Sequence, residues 1–121
     1  MEDFEAVTDQ LKALSDPVRL KIIDMLSCME LCACSLLEGL SITQPTLSHH
    51  MKILLTSRLV TSSKKGTWVY YTINQVEFEN MLTTLNKIRM PKPDCSCYEH
   101  IYACAEKKQQ KQTKKTTDAT V

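Results

Sequence analysis

The chain has 121 residues, a formal net charge of +1, 43% apolar residues, six cysteines and two glycines. That length holds one small domain whose limited core a dimer interface would extend, and so few glycines argue against a loop-rich or strand-rich fold. No stretch reaches the roughly 20 apolar residues of a membrane span, and six cysteines behind an acidic opening (Glu2, Asp3, Glu5) point to metal or redox chemistry in the cytoplasm rather than to a secreted disulfide scaffold.

Phe4, Val7, Leu11 and Leu14 recur at helical spacing and predict a first helix over about 3–14. Ser15-Asp16-Pro17 supplies a cap and a proline suited to a helix start. A second helix follows with Ile22, Ile23 and Leu26 inward, ending near Cys28. A short third helix runs from about Cys32 to Gly39, where the glycine can close it.

Thr43 caps a fourth helix that reaches about Thr56, with Leu47, Met51 and Leu54 on its apolar stripe. Residues 59–63 and 67–73 then turn β-branched and aromatic around Lys64-Lys65-Gly66, which predicts a β-hairpin. Helical spacing returns from Gln75 through Phe78, Met81, Leu82, Leu85 and Ile88, and Pro91 and Pro93 end it. Lysines 107, 108, 111, 114 and 115 among Gln and Thr predict disorder from about 105 onward. The expected division is a folded domain over 1–91 and a cysteine-containing, lysine-rich flexible tail over 92–121.

A short helix, a tight turn and a capped second helix followed by a hairpin is the layout of a winged helix-turn-helix, mainly α with a β wing. Charge supports it. Residues 1–45 carry eight acids and three bases, whereas 46–73 carry Lys52, Arg58, Lys64 and Lys65 and no acid. A basic middle in a near-neutral chain suits a local phosphate-binding surface, although a solvated face gives the same composition. With Leu47, Met51 and Leu54 inward, Pro45, Ser48, His49 and Lys52 face outward, and Gln44 stands at the end where a recognition helix meets base edges. Gln44, Thr46, Ser48, His49 and Lys52 are therefore the candidate operator-facing residues, and Lys64 and Lys65 the candidate phosphate contacts. His50 points toward the core side.

Cys32 and Cys34 are the chemical centre. Two soft thiolates suit a thiophilic ion, and trivalent arsenic takes three sulfurs in a pyramid. Within an undistorted helix, residues i and i+2 point about 200° apart, so capture of one ion by both predicts a distorted first turn in the third helix. Cys28 is the candidate third thiolate, and Cys95, Cys97 and Cys104 are further thiols beyond the last helix. The ordinary alternative for each cysteine is a small buried hydrophobe. No Ser-His-Asp set, phosphate loop or paired catalytic carboxylates are present, and Cys-x-Cys without a βαβ unit is a poor oxidoreductase signal, so no enzyme is expected.

Three blocks, Ala13-Leu14-Ser15-Asp16-Pro17-Val18-Arg19-Leu20, Glu30-Leu31-Cys32-Ala33-Cys34 and Gln44-Pro45-Thr46-Leu47-Ser48-His49-His50-Met51-Lys52, closely resemble the ArsR/SmtB family over residues from about 5 to 90. The resemblance implies a dimeric, metal-responsive repressor in which Gln44, Ser48 and His49 contact bases of an inverted-repeat operator. It implies that the first and last helices form the dimer interface. It also implies that Cys32 and Cys34 bind As(III) or Sb(III) as inducer, with no cofactor needed for DNA binding. Some relatives place a third cysteine where Leu37 stands here. A related branch senses Cd(II) or Pb(II) with cysteines from an N-terminal extension, and residues 1–27 contain none. Zinc sensors use histidine on the last helix, absent here from Gln75 to Arg89. A thiol redox switch is the alternative of another kind.

Overall fold

The structure, a computed structural model, describes residues 4–91. The elements run α1 (Phe4–Leu14), α2 (Pro17–Leu26), β1 (Leu31–Cys32), α3 (Ala33–Glu38), α4 (Gln44–Thr56), β2 (Val60–Lys65), β3 (Trp68–Ile73) and α5 (Gln75–Arg89). The order is that of a winged helix-turn-helix, with a three-stranded antiparallel sheet ordered β1-β3-β2.

Each helix start has a local cause. Asp16 caps α2 by accepting the N–H of Val18 at 2.8 Å and of Arg19 at 3.2 Å. Those bonds, led by the Arg19 N–H, hold its carboxyl below the usual carboxylate range. Pro17 adds its fixed φ at the first position, where no amide proton is needed. Thr43 caps α4 by accepting the Thr46 N–H at 3.4 Å, and its hydroxyl donates to the Thr46 hydroxyl at 3.0 Å.

The main core joins Ala13, Ile22, Leu26, Leu36, Leu47, Met51, Leu54 and Val60. Leu47, Met51 and Leu54 are the stripe predicted for α4, and burying them turns that helix's polar face outward. A smaller cluster of Val7, Leu59 and Met81 seats α5 against α1. Between them Gln10, itself buried, donates to the Ser57 carbonyl at 3.2 Å and to Glu77 at 2.8 Å, so its polar head is satisfied.

Four details correct the sequence reading. Cys32 is not in α3: it is the residue before it, extended at φ −89° and ψ 168°, and with Leu31 it forms a strand. α2 stops at Leu26, leaving Cys28 in the following turn. Gly39 ends α3 in the right-handed region at φ −91°, so a left-handed cap is not what demands glycine. A Cβ there would stand 2.5 Å from Cε of Met25, the end of a flexible side chain that would have to shift aside. The hairpin turn is Gly66-Thr67 rather than Lys64-Lys65-Gly66, so both lysines belong to β2, with Lys65 opposite Trp68. Gly66 supplies the positive φ of 65° that this two-residue turn requires.

Candidate functional site

The outward face of α4 is laid out as its periodicity predicts. Gln44, Pro45, Thr46, Ser48, His49 and Lys52 are all exposed, while His50 is buried. Nδ1 of His50 accepts from Nη1 of Arg19 at 3.0 Å, and Nε of Arg19 donates to the Ala13 carbonyl at 2.6 Å. One guanidinium thus pins α1, α2 and α4 to each other, and His50 serves the frame rather than the surface.

The basic surface extends further than the sequence suggested. A groove of about 720 Å³ beside His49 and Lys52 is also lined by Lys12 and Arg19, together with one acid, Asp9. Neither Lys12 nor Arg19 could be picked out from charge patterning, because both sit in the acidic first third of the chain. Only packing α1 and α2 beside α4 brings them there.

At the wing, Lys64 and Lys65 close β2, and their partners across the strand pair are Val69 and Trp68. Directly opposed residues share a face, so Lys65, Trp68, Tyr70 and Ser63 lie on one side of the sheet and Lys64 on the other. Lys65 is ion-paired with Glu30, and its ammonium stands 5.3 Å from the Tyr70 ring centre, within cation–π range. The Glu30 carboxylate holds the Lys65 pKa above its ordinary value, so this lysine stays charged. A phosphate at Lys65 therefore competes with Glu30, which the sequence reading did not foresee.

The central thiols lie where strand becomes helix. Cys32 pairs with Tyr70 in β3 through its backbone and immediately precedes α3, the first helix of the helix-turn-helix. Its Sγ is 3.4 Å from the Ser35 hydroxyl. That hydroxyl, with the Ser35 N–H adding to it, pulls the Cys32 thiol below the ordinary thiol range, toward the thiolate that binds soft ions. Cys34 lies exposed in the first turn of α3, and Cys28 is exposed in the turn after α2. All three are free thiols.

These donors fit a thiophilic ion in type and access, but they are not preassembled. Among the described residues, no three His, Cys, Asp or Glu side chains converge as a metal site. Binding of one ion by three sulfurs therefore requires residues 28–34 to move. The predicted reason for that movement changes with the structure. Because Cys32 is extended and outside the helix, the 200° divergence of two helical neighbours does not apply to it. The constraint is the tethering of Cys32 to Tyr70 on one side and to α3 on the other. Cys95, Cys97 and Cys104 lie outside the described residues, as do the start of the expected tail at 92 and the disorder expected from 105.

α1 and α5 expose apolar side chains, among them Phe4, Leu11, Val76, Leu82 and Ile88. No helix of the described residues is long and apolar enough to cross a membrane.

Residues 16–62 match the family described as "Bacterial regulatory protein, arsR family". The chain is 45% identical over 94 residues to an arsenical resistance operon repressor of Staphylococcus aureus, an alignment covering 78% of this chain and 90% of that one. Among solved structures it resembles HlyU from Vibrio cholerae, at 32% identity and a TM-score of 0.58, over 74% of this chain and 98% of the other. It also resembles a homodimeric winged helix-turn-helix DNA-binding domain from Mycobacterium bovis, at 26% identity and a TM-score of 0.58, over 69% and 80% of the two chains.

Proposed function

The chain belongs to the arsR family of bacterial regulatory proteins and is a transcriptional repressor rather than an enzyme; from that premise we propose that it binds an inverted-repeat operator as a homodimer and is released by As(III) or Sb(III). Gln44, Ser48 and His49 read base edges from α4. Thr46 and Lys52 sit beside them on the same exposed face, and Lys64 and Lys65 of the wing meet phosphate. The exposed apolar faces of α1 and α5 support their use as the dimer interface, since apolar area removed from water is a main source of association energy. We assign DNA reading and dimerisation to residues 1–91, place the protein in the cytoplasm, and give Cys95, Cys97 and Cys104 a subsidiary part at most in induction.

The observation that carries this reading is the position of Cys32. It is the last residue of β1 and the residue that precedes α3. An ion shared by Cys32 and Cys34, with Cys28 as third thiolate, pulls on the wing through Tyr70 and on the reading motif through α3. A shift of either element misaligns α4 relative to its dimer mate, and operator affinity falls by linkage. No bound cofactor is required for the DNA-binding form.

The direct test titrates As(III), Sb(III), Cd(II), Pb(II) and Zn(II) into the repressor–operator complex under strong reductant. Release by As(III) and Sb(III) at the lowest concentrations supports the reading. Release by Cd(II) or Pb(II) in preference to both identifies the other sensor branch, and release by none of them in reductant but by peroxide without reductant identifies a redox switch.

A further inference from the structure

The region between the thiols and the wing contains a group that neither operator reading nor ion capture has used. Glu30 is the midpoint of Cys28-Met29-Glu30-Leu31-Cys32, and its carboxylate is ion-paired with Lys65 at the end of β2. Lys65 in turn stands over Tyr70, the residue that pairs with Cys32 across β1 and β3. Glu30, just before β1, and Lys65, in β2, thus join the two outer strands of one sheet, whose central strand supplies the Tyr70 that pairs with Cys32, although Glu30 and Lys65 are 35 positions apart in sequence.

We propose that Glu30 is a positioning residue that competes with operator phosphate for Lys65, and that inducer capture by the flanking cysteines tips this competition toward Glu30. The proposal rests on the repressor reading above and adds a second route by which the ion reaches the DNA. The Lys65 ammonium has three donors but one compact charge, so a phosphate and the Glu30 carboxylate gathered on it repel each other and each weakens the other's hold. In operator-bound protein Lys65 leaves Glu30 and releases a counterion from the DNA. An ion joining Cys28 to Cys32 closes a five-residue loop with Glu30 at its centre, which removes the loop's freedom to withdraw the carboxylate. Lys65 is then kept on Glu30, and one phosphate contact per protomer is lost.

The side chains of Lys65 and Glu30 are 57% and 35% exposed, which fixes the scale. Exposed ion pairs are weak, so Glu30 modulates affinity by up to about fivefold per protomer and is not the principal switch. Lys64 lies on the opposite face of the strand and is outside this competition.

The test is a double-mutant cycle of Glu30→Gln and Lys65→Gln on operator affinity, read by anisotropy of labelled duplex over a range of salt, with and without arsenite. Asp24→Asn, on α2, controls for the change in net charge. Glu30→Gln is expected to bind the operator up to about fivefold tighter than the control, with a salt dependence steeper by up to about one phosphate contact per protomer. Its loss of affinity on adding arsenite should be smaller by a similar factor, and the gain should vanish in the Lys65→Gln background. An affinity equal to that of the Asp24→Asn control, or the same gain with Lys65 already replaced, overturns the proposal. Failure of the underlying reading looks different: wild-type protein is then not released by arsenite, or a Cys32→Ser, Cys34→Ser variant still is.

Discussion

Arg19 and His50, 31 positions apart, are joined by a 3.0 Å hydrogen bond that ties the start of α2 to the middle of α4. Because arginine can only donate, Nδ1 of His50 is the acceptor and its proton sits on Nε2. The same guanidinium holds the Ala13 carbonyl, so three helices share one fastening.

Arg19→Ala and His50→Ala should therefore each destabilise the protein, by about 2 kcal/mol for loss of a charge-assisted bond to a partly buried partner. Urea unfolding of both single variants and the double variant checks this. The double variant should fall short of the summed losses by about 1 kcal/mol, because the second substitution removes a bond already broken. Strict additivity would show that the two side chains act separately.

DNA reading and phosphate contact separate by salt. His49→Ala should cost about 1–3 kcal/mol of specific binding while leaving the salt dependence nearly unchanged. Replacing Lys64 and Lys65 together with Ala should weaken binding to every sequence alike and lower the salt slope by up to about two phosphate contacts per protomer. If His49→Ala binds the operator like wild type, the reading face has been misassigned. An unchanged slope in the lysine variant removes the wing from the phosphate interface.

Arsenite-driven release from labelled operator, in strong reductant, tests the thiols. Cys32→Ser or Cys34→Ser should leave DNA binding close to wild type, since neither lies on the outward face of α4, but should abolish release. Cys28→Ser should weaken the response without ending it, because the two remaining sulfurs still pull on β1 and α3. Joint replacement of Cys95, Cys97 and Cys104 should matter less than either central substitution. Release that survives loss of both central thiols would move the inducer site elsewhere.

Ser35 offers a pH-dependent test. Its hydroxyl and N–H favour the Cys32 thiolate, so Cys32 should alkylate at lower pH than an ordinary thiol. Ser35→Ala removes the larger of those influences and should move the alkylation midpoint upward, with arsenite uptake slowing at pH values below it. The sign is fixed: a lowered thiol pKa gives thiolate above the lowered value, and its loss narrows that range from below. Mass-resolved iodoacetamide labelling of Cys32 across pH measures it, and an identical midpoint in the variant would show that Ser35 has no such influence.

Much of the fold was legible in local spacing. The buried stripe of α4, the caps at Asp16 and Thr43, and the extent of α5 from Gln75 to Arg89 follow from helical periodicity and from side chains that reach amides two or three residues ahead. Those interactions are encoded within one or two turns of chain, and once Leu47, Met51 and Leu54 are buried the exposure of Ser48, His49 and Lys52 is geometrically forced. What needed the tertiary structure is every relation whose partners are far apart in sequence. β1 has two residues, too few for any alternation to show, and it exists only because Leu31 and Cys32 find Tyr71 and Tyr70 across the sheet. That pairing takes Cys32 out of the helix and replaces helical divergence with a tether to the wing. The pairing of Lys65 with Glu30, the use of His50 by Arg19, and the place of Lys12 in the basic groove have the same origin. Charge and hydropathy patterns report what a residue is and which way its own element turns it, whereas its partner is chosen by how separate elements pack.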